Sequence, residues 1–146
     1  MSPREALVSE TRQWLERAQA DSHACAVLIA AGLAAEALFH AQQWAEKAIK
    51  AVPTWHQIPY RKTHDLDEVR QVCLPLVGSA AIHLTGIERL SHYAWRFRYP
   101  GAPLAPEPFE AKAAGHAAGQ LLKAVADLLE LKFPDSAVSA SEAKGE

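Results

Sequence analysis

Apolar residues recur at three- and four-residue spacing along most of this 146-residue chain, and this periodicity constrains the fold more than any other feature. No segment shows the apolar–polar alternation of a half-buried strand. Ser2-Pro3-Arg4-Glu5 reads as a capping box with proline at the first helical position, so a helix is expected to begin almost at the first residue. The sequence therefore predicts an all-α protein, an up-and-down helical bundle of four long helices plus one short helix.

Glycine and proline residues divide the periodic segments into helices. Gly32 is expected to end the first helix, and Pro53 is expected to stop the second after Val52. Asp65 is expected to cap the short third helix, which runs to Pro75. The remaining predictions are a loop over residues 53–63, a fourth helix from Gly78 to just before Pro100, and a fifth from Pro108 to Phe133.

Length and charge limit the class of protein. A chain of 146 residues suits one domain with one core, so we assign residues 1–134 to a single bundle and residues 135–146 to a disordered tail. The formal net charge of −2 argues against generic binding to nucleic acid or to an anionic membrane. We see neither a signal peptide nor a run approaching the ~20 apolar residues of a membrane span, so we expect a cytoplasmic protein with no membrane partner.

The sequence offers little for metal chemistry. Cys25 and Cys73 form no CxxC pair and have no histidine at zinc-finger spacing; both lie on apolar helix faces, which favours buried free thiols. Glutamate–histidine pairs such as Glu36 and His40 have i, i+4 spacing, whereas ferritin-like di-iron sites need i, i+3 spacing and further glutamates. We therefore expect no metal site, and no cofactor apart from a nucleotide ligand.

A polar stripe on the second helix is the first candidate site. Gln43, Glu46, Lys47 and Lys50 fall at i, i+3, i+4 and i+7, which places them on one face. Glu46 also precedes Lys50 by one turn, a stabilising arrangement worth a few tenths of a kcal/mol. A merely solvated face is the alternative. Asp21, inside the apolar stripe of the first helix, is expected near the bundle end or paired across the bundle.

A second polar stripe lies on the predicted fourth helix. Thr85, Arg89, His92 and Arg96 fall at i, i+4, i+7 and i+11, with Arg98 at the helix end. Arginine offers bidentate donors to phosphate and lysine offers a point charge, so these residues are candidates for gripping phosphate together with the lysines of the second helix. The alternative is a solvated face or the rim of a dimer interface.

Three short motifs occur in a fixed order, namely residues 42–50 (QQWAEKAIK), 62–66 (KTHDL) and 96–101 (RFRYPG). In this order, inside a helical chain, they resemble the HEPN domain family, and the resemblance covers roughly residues 10–130. It implies a dimeric bundle that binds nucleotide or RNA-like ligands, often with a nucleotidyltransferase-fold partner. It also implies that the glutamine-to-lysine run lines a groove between helices, and that the turn at His64 is structural as well as groove-lining.

The resemblance and the two stripes together define the predicted site. The nuclease branch of the family carries an arginine followed four to six residues later by histidine, near the late helices. Here the first histidine after Arg98 is His116, and the pair Arg17 and His23 lies about 240° apart around the first helix. We therefore predict no catalytic residues of that type. The predicted nucleotide- or phosphate-binding residues are Gln43, Glu46, Lys47, Lys50, His64, Arg89, His92, Arg96 and Arg98.

Three functional hypotheses follow. The first is a non-nuclease protein that binds nucleotides as an accessory subunit of a nucleotidyltransferase-fold partner, as a homodimer, and in a toxin–antitoxin-like pair. The second is a ribonuclease with a divergent active site that uses His92, Arg96 and Arg98. The third is a non-catalytic interaction bundle whose polar faces are only solvated.

Overall fold

The computed structural model describes residues 1–97, 100–101 and 105–133, with the side chains of all of these except residues 93–95. No strand occurs in this part of the chain, and the predicted all-α class is confirmed. Two short 3-10 segments, Leu74–Leu76 and Gly78–Leu84, separate the third and fourth helices. The helices are α1 (Pro3–Ala30), α2 (Ala34–Trp55), α3 (Leu66–Cys73), α4 (Arg89–Arg96) and α5 (Pro108–Glu130).

Local hydrogen bonds fix where the helices begin. At the start of α1, the backbone N–H of Glu5 donates to Ser2 Oγ at 3.1 Å, as the capping box predicts. Asp65 caps α3 by accepting from the backbone N–H two residues on, at 3.0 Å. At the start of α5, the backbone N–H of Glu107 donates to Glu110 Oε2 at 2.8 Å, which forms one half of a capping box. These starts are therefore encoded within a few residues of sequence.

The helix α2 lies at the centre of the bundle and packs against α1, α3, α4 and α5. Its inward positions are largely small, which lets the neighbouring helices approach closely. On α5, the partly buried Gly119 faces α2, and a Cβ at this glycine would lie 3.2 Å from Trp44 Cζ2. The buried alanines of α2 are Ala37, Ala41, Ala45, Ala48 and Ala51.

Pro53 lies inside α2, so the prediction that the helix stops at Val52 is wrong. Proline cannot donate to the carbonyl four residues earlier, which leaves the oxygen of Ile49 without its helical partner. The buried thiol of Cys73 on α3 donates to that oxygen, with Sγ at 3.2 Å. A contact from another helix therefore compensates for the proline, and burial raises the pKa of the Cys73 thiol to about 12.

The predicted fourth helix is divided in two, which corrects the expectation of one continuous helix from Gly78. A 3-10 segment ends at Leu84, a turn follows, and α4 begins only at Arg89. Gly86 in that turn has a φ of +78°, in a region that L side chains rarely adopt and that a right-handed helix does not use. The described chain thus has three long helices and two of eight residues.

Two further predictions concern the C-terminal tail and membrane-spanning segments. The expected disordered tail, residues 135–146, lies outside the described residues. Among the helices that the structure does describe, none combines the length and the apolar character needed to cross a lipid bilayer.

The close approach of α5 to α2 can be tested with two glycine substitutions. Gly115→Ala should raise the free energy of unfolding by about 0.5–1 kcal/mol, because alanine favours a helix and the new Cβ makes ordinary van der Waals contacts, at 3.5 Å to Cys25 Sγ and 3.8 Å to Trp44 Cζ3. Gly119→Ala should gain less, because its Cβ would lie within 3.2–3.3 Å of the Trp44 ring. Chemical unfolding of both variants measures the difference, and equal gains would contradict this packing.

Candidate functional site

The carboxylate of Glu46 is buried on the polar stripe of α2, with only 3% of the residue exposed. Its Oε1 accepts a hydrogen bond from Gln42 Nε2 at 3.1 Å and another from His64 Nδ1 at 3.0 Å. Lys50, one turn along α2, places its Nζ 3.4 Å from the other oxygen. Because a buried carboxylate is tolerated only when it is paired and hydrogen-bonded, these four residues form one unit, the Glu46 cluster.

The Glu46 cluster also holds the chain that leads into α3. The backbone carbonyl of His64 accepts from Gln42 Nε2 at 3.3 Å, so both the ring and the backbone of His64 are bound to α2. Ser91 on α4 accepts from the backbone N–H of Leu66 at 3.1 Å, which satisfies a donor in the first turn of α3. Through His64 and Ser91, three helices meet at the cluster.

Lys50 is itself buried, with 7% of the residue exposed. Besides its ion pair with Glu46, its Nζ lies 5.7 Å from the centre of the Trp14 ring on α1, within the range of a cation–π contact. The charge of Lys50 is therefore already engaged by a carboxylate and an aromatic ring, and it holds α1, α2 and the Glu46 cluster together.

A second buried carboxylate, Asp21 of α1, lies against α2 and is only 7% exposed. One of its oxygens accepts a hydrogen bond from His40 Nδ1 at 2.8 Å, and the other forms an ion pair with Lys47 Nζ. Of the two expected positions for Asp21, near the bundle end or paired across the bundle, the structure shows the pairing. We call these three residues the Asp21 cluster.

The cationic residues of α4 have a different environment. Arg89, His92 and Arg96 are exposed, and within the described part of the chain none of them has a carboxylate partner. The guanidinium of Arg96 lies 5.8 Å from the centre of the Phe97 ring. Arg98, which belongs to the predicted site, lies outside the described residues.

The structure thus distributes the predicted residues over three places. Glu46, Lys50 and His64 meet in the Glu46 cluster, and Gln43 Nε2 donates to the Gln42 side chain beside it at 2.7 Å. Lys47 points instead to α1 and binds Asp21. The α4 cations form a separate exposed group.

Sequence reasoning missed three residues that organise these clusters. Gln42 is fully buried, and its spacing of one turn from Glu46 was a signal for this contact. Ser91 carries no sequence signal for the hydrogen bond that it accepts from the backbone N–H at the start of α3. His40 was considered only as a metal ligand with Glu36, yet it binds Asp21 on another helix. No local sequence pattern indicates that contact.

The cavities of the molecule lie mostly away from these clusters. Two, of about 520 and 510 Å³, follow the N-terminal half of α1, and neither is lined by a residue of the predicted site. A smaller one, of about 330 Å³, lies between the start of α2 and Phe97. Over the described residues, no group of three or more histidine, cysteine, aspartate and glutamate side chains is arranged to hold a metal ion.

Comparison with known proteins identifies one family. The sequence model of the HEPN domain matches residues 11–128, which is most of the chain and includes all three motifs. Neither a curated protein nor a solved structure matches this chain. The match agrees with the resemblance found from the motifs, and it runs from residue 11, within α1, to residue 128, near the end of α5.

The Glu46 cluster makes a direct prediction for stability. Glu46→Leu should lower the free energy of unfolding by about 3 kcal/mol or more, because it leaves Lys50 buried without its counter-ion. Adding Lys50→Met should recover much of that loss, since no buried charge then remains unpaired. Denaturant unfolding of the single and double variants measures both effects.

His64→Ala is the matched control, because the His64 side chain is 64% exposed and water can replace its hydrogen bond to Glu46. It should cost about 1 kcal/mol or less. A double variant no more stable than Glu46→Leu would show that the Glu46–Lys50 pair is not the source of the loss.

Proposed function

This chain belongs to the HEPN domain family, and we propose that it is a nucleotide-binding accessory protein that acts with a nucleotidyltransferase-fold partner. The observation that supports this most is the exposed cationic group on α4, formed by Arg89, His92 and Arg96, for which the described residues provide no carboxylate partner. Arginine binds phosphate oxygens bidentately, so such a group suits a phosphate-bearing ligand. The partner, and a toxin–antitoxin-like role for the pair, follow from the family resemblance.

The spacing of these three residues favours a common ligand. Arg89, His92 and Arg96 fall at i, i+3 and i+7 on an eight-residue helix, so they share one face. A phosphate chain lying along that face meets two guanidinium groups and an imidazole. Because none of the three is bound to a carboxylate within the described residues, a phosphate does not have to displace an internal ion pair.

The two lysines of the predicted site contribute differently. Lys47 and Lys50 are bound to the carboxylates of Asp21 and Glu46, and a paired lysine presents little net positive charge to a ligand. We propose that these lysines hold α2 against α1, and that the arginines of α4 supply the attraction for phosphate.

A calorimetric titration tests the nucleotide site. ATP, GTP or AMP should bind the purified protein in the micromolar range, and Arg89→Gln with Arg96→Gln should weaken binding tenfold or more, since charge-assisted hydrogen bonds are worth about 1.5–3 kcal/mol each. Both residues are exposed, so the double variant should fold like the parent protein.

A second double variant controls for the loss of charge. Arg17 on α1 and Lys112 on α5 are exposed and outside the proposed site, so Arg17→Gln with Lys112→Gln removes the same charge elsewhere. It should leave the affinity unchanged. Absence of heat with every nucleotide would reject the nucleotide site and favour an interaction bundle that binds only its partner protein.

We also propose that the protein is a homodimer, since HEPN domains often dimerise. Light scattering at micromolar concentration should then give twice the 15.9 kDa mass of one chain. Val27, Ile82 and Phe109 are 66–72% exposed and are candidates for residues at this interface. Serine substitutions at these three positions would locate the interface, whereas a mass of one chain for the unmodified protein would contradict dimerisation.

A further inference from the structure

A cavity of about 330 Å³ lies beside the first turns of α2, and its residues combine two aromatic rings with two polar side chains. Its volume is at the lower end of the range for small-molecule sites. None of its residues belongs to the Glu46 cluster or to the cationic group of α4. It is lined by Ala35, Glu36, Phe39, His40 and Phe97.

His40 has a fixed orientation in this cavity. Asp21 accepts from its Nδ1 at 2.8 Å, so Nδ1 carries the hydrogen and, in the neutral ring, Nε2 is an acceptor. Within the described residues no protein group bonds to Nε2, and 31% of the side chain is exposed. The ion pair with Lys47 holds Asp21 in place, and Asp21 in turn holds the imidazole.

Glu36 lies one turn before His40 on the same face of α2. An ionised carboxylate accepts hydrogen bonds and donates none. No residue in the described part of the chain pairs with Glu36, which is exposed. The two polar groups of the cavity are therefore both acceptors, and they select a ligand that presents several donors close together.

The aromatic residues suggest the shape of that ligand. Phe39 and Phe97 line the cavity, and aromatic side chains form stacking platforms for the planar faces of nucleobases. Phe97 also lies beside the guanidinium of Arg96, 5.8 Å from its ring centre. The cavity is thus adjacent to a residue that the proposed function assigns to phosphate.

We propose that this cavity binds the guanine base of a nucleotide whose phosphate lies against Arg96; the inference rests on the proposed nucleotide-binding function and names the base. Guanine presents its N1–H and 2-amino group as neighbouring donors, which match the two oxygens of Glu36. His40 Nε2 accepts a further hydrogen bond from the 2-amino group. Adenine and cytosine each place a ring acceptor beside their amino group, and that acceptor repels the carboxylate.

Titration of the full chain with GMP, IMP, AMP and ribose 5-phosphate tests the proposal. GMP should bind about tenfold or more tightly than AMP, in line with the discrimination that one bidentate contact to a base provides. IMP, which keeps N1–H but lacks the 2-amino group, should fall between them, and ribose 5-phosphate should bind weakest. Glu36→Gln should reduce the affinity for GMP to that for AMP, because the amide offers one acceptor oxygen only.

Two further variants separate the base from the charge. Phe97→Leu should weaken GMP and AMP alike, since both lose a stacking surface, whereas Glu36→Gln acts on GMP alone. Glu16→Gln removes the same charge from an exposed position on α1 that lines another cavity, and it should bind GMP as the parent protein does.

The outcomes distinguish this inference from the function on which it rests. Equal affinity for GMP and AMP, or a preference for AMP, would overturn the guanine site, while a loss of affinity in Arg89→Gln with Arg96→Gln would still support the phosphate group of α4. Failure of every phosphate-bearing ligand to bind would overturn both proposals.

Discussion

The buried carboxylate of Glu46 is the interaction on which most of the structure depends. A carboxylate removed from water costs several kcal/mol unless other groups compensate, and here Gln42, Lys50 and His64 supply that compensation. Each partner fixes a different part of the molecule. Lys50 connects the cluster to Trp14 on α1. His64 connects it to the start of α3, which in turn is bonded to Ser91 on α4. Loss of this carboxylate would therefore loosen three contacts of α2 at once.

The sequence predicted the helices well wherever the signals are local. The caps at Ser2 and Asp65 act within three residues, and the apolar period of α1 and α5 is set within each helix. Pro53 was misread because its compensation comes from Cys73, twenty positions away and on another helix. The break at Gly86 was missed because Leu84, Ile87 and Leu90 are all buried, so the apolar spacing continues across a turn that is not helical.

The described residues of the predicted site lie on α2, on α4 and just before α3, but the sequence did not show which of their charges are already paired. Which residues share a face follows from the helical period alone, whereas the availability of a charge depends on what packs against it. Lys47 illustrates the difference, because its partner Asp21 lies 26 positions earlier in the chain. Asp21, a lone acidic residue in the apolar stripe of α1, was the sequence signal for such a pair. The sequence did not indicate which basic residue would bind it.

In the proposed nucleotide-binding function, the pairing of the lysines determines which residues attract the phosphate. With a net charge of −2 the whole molecule provides no attractive field for phosphate, so binding has to come from a few contacts. Asp21 and Glu46 neutralise the lysines of α2 and leave the arginines of α4 to make those contacts. Asp21, which binds Lys47, also accepts the hydrogen of His40 Nδ1. In the neutral ring, His40 Nε2 is then the acceptor in the cavity that Phe97 lines beside Arg96. In the proposed site, Asp21 and Glu46 together leave the attraction for phosphate to α4, and Asp21 also orients His40 toward a donor-rich base.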